Sequence, residues 1–355
     1  MKKYKICKIL LVILAIFLCV AFYELLGICV AYKKQPEVSN TTKKETKNGS
    51  WNECSENTER AVIIEKNPEA LLQRVRLIKN AKKEIILSTF AFQSDESGKL
   101  ILGALHDAAD RGVHIRLLVD GMESWIDMEG NPYFYGLSSH ENVEIKLYNK
   151  ANPLKPWKMM GRMHDKYLIA DGKRYILGGR NTYNYFLGDF PGHKNYDRDV
   201  LVVCDEPEKE NSVNQLLEYF ETIWEQEDSG YFHDNKKLAN RKSVKNAVLE
   251  LQNGYQKYFE ENKERICDTD YTDETFETEK IALVSNPIHT GSKEPVVWYQ
   301  LGELMKNAKN RVKIHTPYII CNDMMYNTWE EIAENVSDFS IMTNSVATVS
   351  YTHLT

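Results

Sequence analysis

The sequence predicts an α/β fold with a largely parallel or mixed sheet, arranged as two related halves. Short apolar strands alternate with amphipathic helices, a pattern typical of layered α/β proteins. A short segment at residues 78–82 recurs at residues 305–309, and a strand follows each copy, which indicates an internal repeat. Between the copies, Asp171-Gly172 joins two short apolar runs, which predicts a β-hairpin.

The composition is that of a globular protein with a sizeable core. Of 355 residues, 43% are hydrophobic and 27% are charged, with a formal net charge of −6 and no long basic tract. A general nucleic-acid binder would more often be basic, because phosphate contacts dominate its affinity. We therefore expect no nucleic-acid partner, although a local basic pocket would be enough for a nuclease acting on one phosphodiester.

The N-terminal residues 1–34 predict a membrane anchor. Lysines precede an apolar run at residues 9–23, and a second run follows Glu24, so that together they have about the length of a transmembrane helix, roughly 20 residues. A secretory signal is the alternative, but no small-x-small cleavage site is evident. The basic flank slightly favours an extracytoplasmic catalytic domain, whereas Lys33 and Lys34 oppose it, so the orientation stays open.

After the anchor, residues 35–60 are polar, lack an apolar period and predict a linker. Residues 61–235 form the first predicted half. One expected helix starts at Asn67-Pro68, and two others cover Leu100–Arg111 and Leu216–Trp224. Its expected strands are Glu84–Phe92, Val113–Val119, Val143–Tyr148, Tyr167–Ala170 and Tyr175–Leu177, and residues 197–203 are a charged start that leads into a further apolar strand.

The remainder predicts a second, partial half. Residues 236–279 are expected to be a charged helical connection with a long helix from Lys242 to about Arg265. Residues 280–347 repeat the helix–strand–helix–strand order, with strands at Arg311–Ile319 and Phe339–Thr343. Residues 348–355 resemble a translated sequencing adapter, so we expect native sequence to end near Ala347 and the protein to be C-terminally truncated.

The most informative motif is His-x-Lys-x-x-x-x-Asp at residues 164–171, followed by Gly-Gly-x-Asn at residues 178–181. On extended backbone His164 and Lys166 share a face, so an imidazole and an ammonium group lie side by side. This pair suits a phosphate, because the imidazole can attack phosphorus while the ammonium neutralises the oxygens. Asp171 and Asn181 could support the pair from the hairpin end and the following loop.

These motifs resemble the signature of the phospholipase D superfamily. Segments at residues 143–149, 197–201 and 343–347 are further similar to the cardiolipin synthase branch, in particular its cardiolipin synthase C-like group. The resemblance covers about residues 61–347. It implies a phospholipase D fold of two α/β halves related by a pseudo-two-fold axis, with one active site at their interface.

The resemblance also implies a two-step reaction through a phosphohistidine, without cofactor or metal. His164 would be the nucleophile or the acid/base, Asp171 would fix the imidazole or the local hydrogen-bond network, and Asp199 is a further candidate. Lys166, Asn181 and Gly179 would hold the phosphate oxygens. The sequence contains no second His-x-Lys-x-x-x-x-Asp motif, so we expect the chain as given to show little or no activity alone.

The predicted function is therefore membrane-anchored phosphatidyl transfer of the cardiolipin synthase type, with phosphatidylglycerol or a similar phospholipid as substrate. Alternatives are a phospholipase D-type hydrolase, a nuclease of the same superfamily, and a non-enzymatic membrane-anchored binding protein. The seven cysteines lack CxxC or Cys/His spacing, so no metal site is predicted from them.

Overall fold

The computed structural model divides the chain into two compact units, each described here by itself. The first unit contains residues 1–34, 54–283 and 288–292, and the second contains residues 35–53, 284–287 and 293–355. The structure describes residues 2–49, 59–204, 206, 211–233 and 235–344. The adapter-like residues 348–355 lie outside the described residues.

The first element is a long apolar helix, α1 (Lys2–Ala31). Its segment Lys8–Ala31 has a mean hydropathy of 2.9 and is not buried by the rest of the protein. Length and composition make it a candidate membrane span, although a signal sequence meets the same criteria. The prediction of an N-terminal apolar helix is confirmed.

The predicted linker contains a helix, α2 (Asn40–Asn48), which the sequence analysis did not predict. The Ser39 side chain caps its first turn by accepting from the Thr42 amide, and Gly49 ends it in the left-handed conformation. Glu294 accepts hydrogen bonds from Ser39 N and Thr42 Oγ1. This helix has no apolar stripe, so it gave no periodic signal in the sequence. Polar capping stabilises its ends instead.

Nine strands among the described residues form one mixed sheet in the first unit. Their bounds are β1 (Glu59–Ile64), β2 (Glu84–Thr89), β3 (His114–Asp120), β4 (Val143–Tyr148), β5 (Tyr167–Ala170), β6 (Arg174–Gly178), β7 (Asp199–Cys204), β8 (Ser229–Tyr231) and β9 (Phe276–Glu277). The spatial order is β8-β4-β3-β2-β5-β6-β7-β1-β9. Strands β2, β3 and β4 are parallel neighbours, and the other pairs are antiparallel. The mixed α/β sheet confirms the predicted fold class.

Helices cover both faces of this sheet. Their bounds are α3 (Asn67–Asn80), α4 (Glu96–Asp110), α5 (Glu123–Asp127), α6 (Pro132–Ser138), α7 (Ser212–Trp224), α8 (Lys242–Glu261) and α9 (Lys263–Cys267). Alternate residues of β2 enter different cores: Ile85 packs in the larger core with α3, α4, α6 and α8, whereas Ile86 packs in the smaller core under α7. Residues of α8 thus belong to the larger core. The predicted helical connection, residues 236–279, therefore packs on the first unit.

The second unit contains α10 (Val296–Lys306), β10 (Arg311–His315), α11 (Asp323–Asn335) and β11 (Asp338–Met342). This is the predicted helix–strand–helix–strand order. Strands β10 and β11 pair in parallel, and their small core includes Val312, Ile332 and Val336.

Two predicted strands are shorter in the structure than in the sequence analysis. Strand β2 ends at Thr89 rather than Phe92, because the Ala91 amide donates to the Asn181 side chain instead of a neighbouring strand. Strand β10 ends at His315 rather than Ile319. The first of these departures shapes the candidate site.

Candidate active site

The segments that carry most predicted site residues meet at one edge of the sheet. Strand β5 runs antiparallel to β2, and Ser88 pairs with Tyr167, so the start of β5 lies beside the end of β2. At the same edge, Gly178 at the end of β6 pairs with Asp199 at the start of β7. Ligands of open α/β sheets usually bind outside such strand ends, which makes this edge the candidate site.

His164 and Lys166 lie in the residues directly before β5, which begins at Tyr167 as expected. Both approach the ring of Phe90: the His164 and Phe90 ring centroids are 4.7 Å apart, and Lys166 Nζ is 5.4 Å from the Phe90 centroid. Asp165 points elsewhere, because its carboxylate accepts a hydrogen bond of 2.7 Å from the Tyr219 hydroxyl. The imidazole and the ammonium group therefore share one face.

The surroundings of this pair lower both pKa values. Burial, followed by the positive charge of Lys166, lowers the pKa of the His164 imidazole to about 4, although the residue keeps an accessible surface. Burial lowers the pKa of the Lys166 ammonium to about 8, and the carboxylates of Asp165 and Asp197 oppose that decrease. The imidazole is thus neutral at pH 7 and has a free electron pair with which to attack phosphorus.

Lys166 is also held in place by its neighbours. Its side chain is buried, and Nζ donates a hydrogen bond of 2.5 Å to the carbonyl oxygen of His164. An ammonium group has three donors, so this bond leaves capacity for the oxygens of a bound phosphate. The contact fixes the ammonium next to the imidazole.

Residues 178–181, here called the glycine loop, let the chain before β7 come close to His164 and Lys166. A Cβ atom on Gly178 would lie 2.0 Å from Asp199 Oδ1, and one on Gly179 would lie 2.1 Å from Asp197 Oδ2. The Cβ atom on Gly178 would also lie 2.5 Å from the carbonyl oxygen of Arg198, so only glycine fits at that position. The predicted role of Gly179 in holding phosphate oxygens stays a prediction.

Asn181 stabilises the turn that carries Phe90. Its buried Oδ1 accepts from the Ala91 amide at 3.2 Å, and the Thr182 amide donates to the Ala91 carbonyl oxygen at 3.1 Å. These contacts give Asn181 a positioning role at the site. Its predicted role in holding phosphate stays a prediction.

Asp171 lies at the opposite end of β5. Its left-handed backbone (φ 56°) forms the hairpin turn with Gly172, and its carboxylate accepts hydrogen bonds from the backbone amides of Lys82, Lys83 and Glu84. Asp171 therefore orders the start of β2 and the hairpin. Of the two roles predicted for it, these contacts support the local hydrogen-bond network and not the orientation of the imidazole.

Asp199 is fully buried rather than a solvated strand end. Its Oδ2 lies 2.9 Å from Arg74 Nη1 and 3.2 Å from Arg180 Nη1, and all three side chains are almost inaccessible to solvent. Arg180 Nε also donates to Asn67 Oδ1. This cluster joins α3, the glycine loop and β7, so Asp199 stabilises the framework behind the site.

Asp120 is a site residue that the sequence analysis missed. It ends β3, it is buried, and its carboxylate accepts from Arg162 Nη1 at 3.1 Å and from the Met163 amide at 3.0 Å. Arg162 Nη2 also donates to the Asn149 carbonyl oxygen. Asp120 thus anchors the residues directly before His164. A charged residue followed by glycine at the end of a strand was the available signal.

No group of three or more His, Cys, Asp or Glu residues within the described part of the chain is arranged to hold a metal ion. The expectation that the reaction needs neither metal nor cofactor stays a prediction.

The mixed sheet and the His–Lys pair at its edge define a phospholipase D-like α/β domain. Residues 74–224 match the family model described as cardiolipin synthase, PLD-like domain. Residues 74–224 are therefore a domain of the phospholipase D superfamily.

Known proteins similar to this chain include several enzymes. Cardiolipin synthase C of Escherichia coli is 29% identical over 171 residues, which cover 44% of this chain and 34% of that protein. An uncharacterized Helicobacter pylori protein is 28% identical over 315 residues, or 81% of this chain. The chain spans 59% of the length of that relative.

Among solved structures, the phosphatidylserine synthase of Haemophilus influenzae has the same fold. The superposition has a TM-score of 0.54 with 15% sequence identity, and it covers 86% of this chain and 66% of the synthase.

Proposed function

We propose that this protein is a membrane-anchored phosphatidyltransferase of the cardiolipin synthase type. The observation that carries the proposal is the pairing of a neutral imidazole with a buried ammonium group on one face of the sheet edge. The family match over residues 74–224 and the candidate membrane span support a phospholipid substrate. Phosphatidylglycerol or a similar lipid is the proposed donor.

The reaction proceeds in two steps. A ring nitrogen of His164 attacks the phosphorus of a phosphatidyl group, a P–N bond forms, and the P–O bond to the leaving alcohol breaks. A second acid donates a proton to that alcohol oxygen, while Lys166 neutralises the non-bridging oxygens. An acceptor alcohol then loses its proton to the same group and attacks phosphorus, which breaks the P–N bond and frees His164.

The second acid is proposed to be a histidine of a second His-Lys motif supplied from outside these 355 residues, because the sequence holds a single copy. The roles of nucleophile and acid are exchangeable between the two histidines. A purified chain of residues 36–355 that turned over phospholipid as a monomer would contradict this part of the proposal.

Phospholipid hydrolysis is the nearest alternative, since water can replace the acceptor alcohol at the same phosphohistidine. Lipid extracts from cells that express the protein together with its second motif distinguish the two. We expect cardiolipin to accumulate, and a His164→Ala strain to lack that increase. Phosphatidic acid without additional cardiolipin would favour the hydrolase.

The pKa values predict a bell-shaped pH dependence of kcat/KM, which reports groups of the free enzyme. Activity should rise with pH through about 4, as the His164 imidazole loses its proton, and fall through about 8, as the Lys166 ammonium becomes neutral. Hydrolysis or transfer of a short-chain soluble phospholipid by a protein that supplies both His-Lys motifs can be measured across this range.

The Lys166→Arg variant is the matched control, because a guanidinium group stays charged throughout the range. Its remaining activity should lack the decrease near pH 8. If the decrease persisted in Lys166→Arg, another group would be responsible for it.

A further inference from the structure

The segment at residues 150–162 connects the membrane helix to the candidate site. It contains four basic residues and no acidic residue. Pro156–Lys158 forms a short 3₁₀ turn within it. The segment ends at Arg162, two residues before His164, and Arg162 forms an ion pair with Asp120. We call residues 150–162 the basic loop.

The basic loop packs directly on the C-terminal part of α1. The Tyr23 hydroxyl donates a hydrogen bond of 3.0 Å to the carbonyl oxygen of Leu154. A Cβ atom on Gly27 would lie 2.5 Å from Pro156 Cγ, so the loop contacts the backbone of the helix at a position where only glycine fits. Both contact residues of α1 lie within the apolar span Lys8–Ala31.

These contacts determine how deep the basic loop lies. At about 1.5 Å per helical residue, Gly27 is about 6 Å along the axis from Ala31, and the polar layer on each side of a bilayer is about 5–8 Å thick. With Ala31 at the membrane surface, Pro156 therefore lies near the boundary between headgroups and acyl chains. A loop at that depth needs apolar side chains that can contact the acyl chains.

The basic loop exposes three large apolar side chains. Leu154 is 77% exposed, Met160 is 58% exposed and Trp157 is 45% exposed, which is unfavourable for a loop in water. Trp is enriched at membrane interfaces, where its ring is apolar and its N–H is hydrated. Lys155 beside Pro156 has no ion-pair partner among the described residues, so its ammonium group can meet a lipid phosphate.

We propose that the basic loop is inserted in the membrane interface, with Leu154, Trp157 and Met160 among the upper acyl chains and the ammonium group of Lys155 at an anionic phospholipid headgroup. The loop thereby holds the edge of the sheet with His164 next to the lipid phosphates. This inference rests on the membrane-anchored function proposed above, but it concerns location and not turnover.

Quenching of tryptophan fluorescence by brominated lipids tests the proposal with the full chain reconstituted in phosphatidylcholine–phosphatidylglycerol vesicles. Bromines close to the lipid carbonyl groups should quench the wild type, and Trp157→Phe should lose that component. Equal quenching in the wild type and in Trp157→Phe would overturn the proposal. The readout needs no catalysis, so an inactive protein does not obscure it.

A matched pair of variants tests the role of the loop in access to lipid. Leu154 and Leu249 are both exposed leucines, and Leu249 lies on α8, away from α1. In a protein that supplies both His-Lys motifs, Leu154→Glu should lower activity on vesicles severalfold but leave activity on a short-chain soluble phospholipid unchanged. Leu249→Glu should affect neither. Equal vesicle activity of Leu154→Glu and Leu249→Glu would contradict the proposed insertion.

Discussion

Replacement of His164 by alanine is expected to lower turnover of a phospholipid by about 10⁴-fold, which is the upper range for loss of an acid–base group. The expectation follows from the neutral imidazole on the face it shares with Lys166, where no other described histidine contacts Phe90. The measurement is kcat on a short-chain soluble phospholipid, with a protein that supplies both His-Lys motifs.

His114→Ala is the matched control. His114 is half-exposed at the opposite end of the sheet, where it contacts Glu84 and Glu144, so its loss should leave kcat unchanged. If both variants had equal turnover, His164 would not take part in the reaction. Acid-quenched samples with phosphorus-labelled substrate would further show whether His164 carries the phosphoryl group.

Replacement of Asp199 by alanine is expected to destabilise the first unit by about 3–5 kcal/mol, the usual cost of removing one partner from a buried ion pair. Two buried guanidinium groups, of Arg74 and Arg180, would then face each other without a counter-ion. Guanidinium chloride unfolding of the detergent-solubilised chain, followed by circular dichroism, measures the difference.

Glu65→Ala removes an exposed ion pair with Arg198 and serves as the comparison. Exposed pairs contribute about 0–1 kcal/mol, so this variant should unfold at nearly the wild-type denaturant concentration. A loss in Asp199→Ala no greater than that in Glu65→Ala would show that the buried cluster does not stabilise the fold.

Much of the fold could be predicted because its signals are local. The apolar runs of β2, β3 and β4 lie between amphipathic helices, and the Asp171-Gly172 turn identified the β5–β6 hairpin. Local alternation also placed the side chains of His164 and Lys166 on one face. These features depend on neighbours within a few residues, which a sequence displays directly.

The supporting contacts of the site could not be predicted in the same way. Asp120 binds a segment more than forty positions away, with Met163 as one partner, and Asp199 is paired with an arginine of α3. A charged residue at a strand end is usually solvated, and only the folded arrangement shows that both are buried. The role of Asp171 was uncertain for the same reason, since its partners come from the loop before β2.

The second unit contains residues from both sides of the first, because Ser39 and Thr42 are hydrogen-bonded to Glu294. As a ribosome synthesises the chain, residues 35–53 emerge long before the residues with which they pack. The nine strands described for the sheet of the first unit are complete by residue 277, so this sheet can form during translation, whereas the second unit has to wait. The order of assembly is therefore not the order of the sequence.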